Sequence, residues 1–333
     1  MLAKHLNKSL FSKEVAMEPT RDGYGRGLVK LGQTNPNVVA LCADLTESTR
    51  TQPFAQKFPD RFVEMGVAEQ NLAAVSSGMA AMGKLPFISS YATFSPGRNW
   101  EQIRTTICIN QQKVVIAGAH AGISVGPDGA THQALEDIAL MRSLPTMTVI
   151  NPCDSLEAEK ATLAAAEYPG PIYLRFHREK TATITSKNSP FEIGKAQVLR
   201  EGSDVSVIAC GPVLYEALIA AEDLSKVGLE VQVINLSTIK PIDLESIIKA
   251  AQKTKAIVTV EEHQITGGLG SAVSEVLVEH FPVPMQRVGV ADRFGESGTP
   301  EELLEKFGLK AKHIKVAIKE VLKRKTLLYA SET

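Results

Sequence analysis

The chain has 333 residues, 44% of them apolar and 22% charged, with a formal net charge of −1 at pH 7. That length suits about two domains of ~150 residues each. The near-neutral balance excludes the basic excess of an electrostatic nucleic-acid binder, and a 5% aromatic content excludes stacking platforms for single strands.

Residues 1–13 are basic and acid-free, with Leu2, Leu6 and Leu10 at helical spacing. Without an arginine they read as a frayed N-terminal extension, residues 1–14, rather than an organellar leader. Met17 offers an alternative start. The runs Val38–Asp44, Lys113–Ala119 and Met147–Ile150 are nearly continuous in apolar residues. Runs of that length predict buried parallel strands covered on both faces. Helical patterns fall between them, at roughly 21–33, 69–82, 99–110 and 154–167, which is the βαβ alternation of a doubly wound α/β domain over 15–180.

The segment Thr181–Pro190 is polar, ends in proline and lacks helical pattern, so residues 181–192 read as a linker. A smaller α/β unit over 193–330 follows, with strands at Val205–Ala209, Glu230–Ile234 and Ala256–Val260. Ala217, Ala220, Ala221 and Leu224 form an apolar stripe on the helix after the first of these. Thr299-Pro300-Glu301-Glu302 is a capping box with proline at the first helical position. The last helix turns Ile314, Ile318, Val321 and Leu322 inward.

Cys42, Cys108, Cys153 and Cys210 lie far apart with no Cys-x-x-Cys pair. Three of them sit in or beside apolar runs, where a free thiol acts as a small hydrophobe. Structural disulfides and zinc are not expected, and a reducing cytoplasm fits. No apolar run approaches the ~18 residues of a membrane span.

The most informative string is Gly66-Val67-Ala68-Glu69-Gln70-Asn71, a strand end running into a helix with one carboxylate at the junction. The helix continues in small and apolar residues to Ala81. Burial would penalise the ionised glutamate, while a helix N-terminus favours the anion. If burial wins, Glu69 can share a proton with a bound heterocycle, an acid/base role. Ligands of open α/β sheets sit beyond the carboxyl ends of the strands, and Asp44, Glu69 and His120 all fall at such ends. From His120 to Gln133 one loop holds three glycines, two histidines and Asp128. That density marks a functional loop. His120 and His132 lie too far apart for a helical metal pair. Tyr91–Trp100 follows a strand with aromatics that could wall a flat ring or plug a core edge.

Asp44-Leu45-Thr46, Gly-Val-Ala-Glu69-Gln-Asn, Tyr-Ala-Thr-Phe94 and Gly-Pro-Asp128-Gly-Ala-Thr-His132-Gln133, with Asp154 downstream, occur in this order and spacing in transketolases. The first half of the chain resembles that family by motif and the second half by pattern. The resemblance implies a pyrimidine-binding doubly wound parallel-sheet domain followed by a transketolase C-terminal domain, and it implies thiamine diphosphate as cofactor. The family's Gly-Asp-Gly motif, which holds the diphosphate and Mg²⁺, is missing here. The chain is therefore similar to the small subunit of a split transketolase. Its Mg²⁺ ligands are expected on a separate N-terminal subunit, and the assembly is expected to be α2β2. Alone, it is expected to bind the cofactor weakly, catalyse nothing and self-associate through open apolar surface.

By the resemblance, Glu69 would hydrogen-bond the cofactor's ring nitrogen, with Phe94 and Trp100 walling the ring and Asp44 near the subunit junction. Gly97 stands where many members have a third aromatic. His132, at the reacting end, and Asp128 would bind substrate hydroxyls. Arg21 and Arg175, with Ser48 and His120, would hold a sugar phosphate. Two departures bear on this: Glu47 replaces the family's proline, and the setting Leu174–Arg178 leaves Arg178 as the alternative to Arg175. The expected reaction moves a two-carbon ketol unit from a ketose phosphate to an aldose phosphate. Rival readings are the β subunit of a 2-oxoacid dehydrogenase, a deoxyxylulose-phosphate synthase, and a non-catalytic regulatory homologue. Gln133, where the synthase has a second histidine, disfavours the synthase.

Overall fold

Val38–Cys42 buries all five of its residues. Val39 and Leu41 join one apolar layer, Val38 and Ala40 the opposite one. The two-residue pleat thus sends apolar side chains to both faces, which is why the run carries no alternation. The computed structural model describes residues 1–329 and builds around this strand a seven-stranded sheet. Its order is Thr238–Lys240, Thr148–Ile150, Ile172–Arg175, Val115–Ala119, Leu85–Tyr91, Val38–Cys42 and Phe62–Glu64. All neighbours are parallel except Thr238–Lys240, which runs antiparallel to Thr148–Ile150.

Helices Thr20–Thr34 and Ser155–Glu167 cover one face through Tyr24, Leu28 and Leu31 against Ala158, Ala161 and Ala165. Helix Glu69–Ala81 covers the other with Leu72 and Ala73. The helical stretch expected at 99–110 is one α-turn, Trp100–Gln102, running into a π-helical turn, Ile103–Cys108. Such wide turns recur at functional sites.

A second, five-stranded sheet has the order Met285–Val290, Ile257–Gln264, Val205–Ala209, Val231–Asn235 and Gln197–Arg200, the last antiparallel. The doubly wound α/β architecture read from the sequence is the one observed. The stripe Ala217, Ala220, Ala221 and Leu224 is buried, and so are Ile314, Ile318 and Val321. The capping box at Thr299 is present in full. Ile208 and Ile234 of the second sheet share an apolar cluster with Ile88, Ile116 and Val149 of the first. Hydrophobic burial of this kind binds the two sheets into a common core.

The N-terminal segment is not frayed, and its leucines are not on a helix. Residues 1–14 run as successive turns, Ala3 N–H donating to Leu199 O at 2.8 Å and Asn7 N–H to Ile184 O at 3.0 Å. Leu6 and Leu10 are buried in the second sheet's cluster. The polar stretch after Glu179 is also tied down. Asp154 accepts from the backbone N–H groups of Ile184 (2.8 Å) and Thr185 (2.5 Å) while capping the helix that begins at Ser155. Its polarity serves these bonds rather than solvation. All four cysteines are free and buried. Among the described residues no helix is long and apolar enough to cross a membrane.

Candidate functional site

Adjacent parallel strands deliver the candidate residues side by side. Ile172–Arg175 leads to Arg178, Val115–Ala119 to His120, Leu85–Tyr91 to Tyr91 and Phe94, Val38–Cys42 to Asp44 and Ser48, and Phe62–Glu64 to Glu69. All lie at carboxyl ends, where open α/β sheets bind ligands. Asp44 (φ 58°), Arg50 (φ 65°) and His120 (φ 54°) take left-handed backbone conformations there. Non-glycine residues in that region cluster at functional sites because the surrounding structure must enforce them.

Glu69 is the first residue of its helix, and its side chain is 2% exposed. Arg98 Nη1 lies 3.4 Å from Glu69 Oε2, and the same guanidinium stands over the Phe94 ring at 5.3 Å. Asn99 Nδ2 donates to Glu69 O at 2.9 Å, tying the Tyr91–Trp100 loop to the helix start. That loop turns tightly at Gly97, where a Cβ would lie 2.0 Å from Thr93 O. No side chain fits at Gly97 on this backbone. The rings of Tyr91, Phe94, His120 and His132 form one group. Tyr91 stacks on His120 at 3.9 Å, and His132 meets the Phe94 ring edge-on at 5.5 Å. Thr131 Oγ1 lies 2.9 Å from His132 Nδ1 and orients that imidazole.

Beside the rings opens a cleft of about 230 Å³, lined by Arg21, Ser48, Tyr91, His120, Asp128 and Arg178, with Glu47 and Arg50. Helix Thr20–Thr34 places Arg21 in its first turn. The hydroxyl of Thr20 accepts from His177 N–H at 2.7 Å and so brings Arg21 and Arg178 to one rim. Arg50 pairs with Asp22 at 2.6 Å and Arg178 with Asp128 at 3.3 Å. Arg21 pairs with no carboxylate among the described residues. It donates to Ser48 O at 2.8 Å and lies 3.3 Å from His120 Nε2, and its buried Nε has no partner. Burial, with Arg50 and Arg178 nearby, holds the Arg21 guanidinium below its ordinary pKa. Burial, then Arg21, Arg178 and Arg50, push His120 down to about 3. The imidazole is therefore neutral near pH 7, and its buried Nδ1 is unpartnered. Unmatched positive charge around a neutral imidazole favours a bound oxyanion.

Two expected residues are displaced. Arg175 is fully buried, not in the cleft. Its Nε donates to Asp137 Oδ2 at 2.8 Å, and its Nη2 to Ala134 O and Glu262 O, each at 3.1 Å. Every strand residue from Ile172 to Arg175 is buried, and the arginine survives there only through this pairing. It cannot reach a substrate, whereas Arg178, three residues on, lines the cleft. Trp100 stands outside the ring group. Its indole N–H donates to Leu140 O at 3.0 Å, and it packs on the apolar core. Asp44 is exposed at the surface. Three residues here escaped the sequence reading. Arg50 and Arg98 are charged loop residues like many others. Glu64 accepts from Asp44 N–H (2.7 Å), Gly66 N–H (3.1 Å) and Thr46 Oγ1 (2.7 Å), joining the loops that carry Asp44 and Glu69. Only contacts between loops distant in sequence reveal them.

Residues 17–183 match the family described as transketolase, pyrimidine binding domain, and residues 194–314 match transketolase, C-terminal domain. A 6-deoxy-6-sulfo-D-fructose transketolase subunit of Clostridium sp. strain MSTE9 is 42% identical over 92% of this chain and 95% of its own length. A putative transketolase C-terminal section of Methanocaldococcus jannaschii is 44% identical over 91% of this chain and 96% of its own. A solved structure described as a split gene transketolase, an inactive β4 tetramer, superposes with a TM-score of 0.86 at 47% identity. That match covers 92% of this chain and 98% of the other.

Proposed function

The chain belongs to the transketolase family and is similar to its split subunits, and from that premise we propose that it forms half of a ketol-transferring enzyme. The observation that carries the reading is the convergence of a buried Glu69, the Phe94–His132 ring group and the arginine-lined cleft on adjacent strand ends. A family of this kind implies thiamine diphosphate. The residues present fit the ring end of that cofactor: a carboxylate removed from solvent, linked through the Arg98 guanidinium to the Phe94 ring face. When bound, the cofactor supplies the nucleophilic carbon and the electron sink that let a ketose C2–C3 bond break.

Glu69 holds and shares a proton at the ring nitrogen, a task suited to a carboxyl out of water. Phe94 supports the ring face. His132 and Asp128 bind substrate hydroxyls, and Asp44 faces the junction with a partner chain. Arg21, Ser48, neutral His120 and Arg178 hold a tetrahedral oxyanion at the far end of the sugar. Two charge-assisted hydrogen bonds of about 1.5–3 kcal/mol each would anchor that end and leave the reacting end free to change. Glu47 and Asp128 border the same cleft and select against a second anion. The sugar is a ketose phosphate, passing its two-carbon unit to an aldose phosphate. A terminal sulfonate has the same oxyanion shape, and the name of the Clostridium relative favours testing it.

The chain contains no Gly-Asp-Gly sequence. We assign the diphosphate and Mg²⁺ ligands to a separate N-terminal-type subunit, in an assembly of two such chains with two partners. Val67 and Met82, exposed at either end of helix Glu69–Ala81, support burial of that surface in an assembly. The test is reconstitution with such a subunit, thiamine diphosphate and Mg²⁺. Ketol transfer from phosphorylated and sulfonated ketoses should need both chains. Release of CO₂ from pyruvate would instead mark a 2-oxoacid enzyme, and silence with every donor would mark a regulatory homologue.

A further inference from the structure

No residue beyond Arg178 lines the cleft, yet the loop that carries both histidines is held from the second sheet. Its strand Ile257–Gln264 pairs in register up to Val260, opposite Val288, and again at Gln264, opposite Val290. Three residues, Glu261 to His263, therefore stand against one. A bulge of this kind bends the strand and re-aims its side chains. The Glu262 side chain is turned into the first unit, where it is 3% exposed.

Its Oε1 accepts the Ser124 N–H at 2.7 Å, inside the single turn Ile123–Val125. Its Oε2 lies 3.3 Å from His177 Nδ1. Gly122, at φ 86°, passes so close that a Cβ would lie 2.2 Å from Glu262 Oε1. The main chain at Glu262 is anchored in turn, because its carbonyl accepts from the fully buried Arg175. From the held turn, Val125 O accepts from Arg178 Nη1 at 3.1 Å. A second tie runs from Gln133 Nε2 to Glu296 O at 2.9 Å. The segment between His120 and His132 is thus gripped by the C-terminal half at both ends of its path.

We propose that Glu262 is a positioning residue, through which the C-terminal unit sets the loop carrying His120 and His132 and so the grip on the sugar. It touches neither substrate nor cofactor. Its action runs through the Ser124 amide to the turn, and from the turn to Arg178 and the two imidazoles. Loss of the carboxylate leaves the Ser124 N–H without its acceptor and the turn without its tie to the second unit. Glutamine keeps an oxygen at the same reach and should hold the turn.

The proposal rests on the ketol-transfer reading for its kinetic arm only. Hydrogen–deuterium exchange of the full-length chain is the first arm. Glu262→Ala should speed exchange over residues 121–126 by about tenfold, the scale of one lost hydrogen bond to a charged group. Helix Glu69–Ala81 should keep its wild-type rate. Glu262→Gln should leave the loop near wild type. Glu261→Ala removes the neighbouring carboxylate, which caps Leu269 and Gly270 within its own unit, and should leave the loop unchanged. In the reconstituted assembly, Glu262→Ala should raise KM for the ketose about tenfold, by the same lost bond, with kcat and half-saturation by thiamine diphosphate little changed. Unchanged loop exchange in Glu262→Ala, exchange raised uniformly along the chain, or a fall in kcat at constant KM would each overturn the proposal. A wild-type assembly that turns nothing over overturns the ketol-transfer reading alone, and the exchange arm then still decides the role of Glu262.

Discussion

Exchanging the roles of two arginines three residues apart is the sharpest test of how the cleft is built. Arg175→Ala removes a guanidinium that is 0% exposed and leaves Asp137, 2% exposed, with only the Tyr173 hydroxyl as a side-chain hydrogen-bond partner among the described residues. Breaking a buried pair from one side costs about 3–5 kcal/mol, because an uncompensated charge stays in the interior. For a chain of this size that lowers Tm by roughly 4–7 °C. Arg178 is different. Its side chain is 33% exposed, and its partners are Val125 O and the carboxylates of Asp128 and Glu179. Arg178→Ala should leave Tm within roughly 2 °C, as surface changes do. It should raise KM for a phosphorylated ketose about 10- to 100-fold, the worth of a charge-assisted hydrogen bond. The same variant should change KM far less for an unphosphorylated ketose. Differential scanning fluorimetry of each variant, followed by steady-state kinetics of the reconstituted pair, reads both numbers. A stable Arg175→Ala with weakened phosphate-dependent binding, or an unstable Arg178→Ala, would refute the assignment.

Glu157 is buried between the two sheets, accepting from Cys153 N–H and Asn235 Nδ2, and burial pushes it from an ordinary 4.5 up to about 7. A carboxyl raised in the folded state contributes stability below its unfolded value and loses it as pH rises through the folded one. Glu157→Gln should therefore gain on the wild type by about 3 kcal/mol at pH 8 and by less than about 1 at pH 5, read from urea midpoints. His120 has the opposite sign. Its folded value of about 3 lies below the ordinary 6.5, so its contribution is complete above 6.5 and is lost as pH falls toward 3. Its imidazole proton signals should not titrate between pH 5 and 8; a midpoint near 6 would contradict the charge environment drawn for the cleft. Glu64→Ala, which frees the Asp44 and Gly66 amides, should raise the thiamine diphosphate needed for half activity by about tenfold while kcat holds; an equal loss of both would show a general collapse of the loops.

Much of this architecture was legible because burial writes itself into composition. Val38–Cys42, Val115–Ala119 and Val205–Ala209 are two-sided strands, and their apolar runs say so. The placing of Glu69 and His120 was legible because each falls at the carboxyl end of a strand, and that of His132 because it shares a glycine-rich loop with His120 and Asp128. Arg175 and Arg178 were not separable, since two arginines in one short segment carry the same charge, and only the strand's last buried position distinguishes them. The N-terminal leucines misled for a related reason. Spacing of four fits a helix, but here Leu6 and Leu10 are brought inward by turns that bond to Leu199 and Ile184, far along the chain. Glu262 was invisible because its neighbours Glu261 and His263 make the strand end look polar and exposed, whereas all three are buried.

The central claim is that Glu69 exchanges a proton with a cofactor completed by another chain. Glu69→Gln keeps the shape of the side chain and its place at the helix start. In the assembly with its partner, ketol transfer should fall by at least about 100-fold, the lower end of what a positioned acid/base group contributes, while the two chains still co-elute. Turnover within about tenfold of wild type, well short of that contribution, would contradict the account.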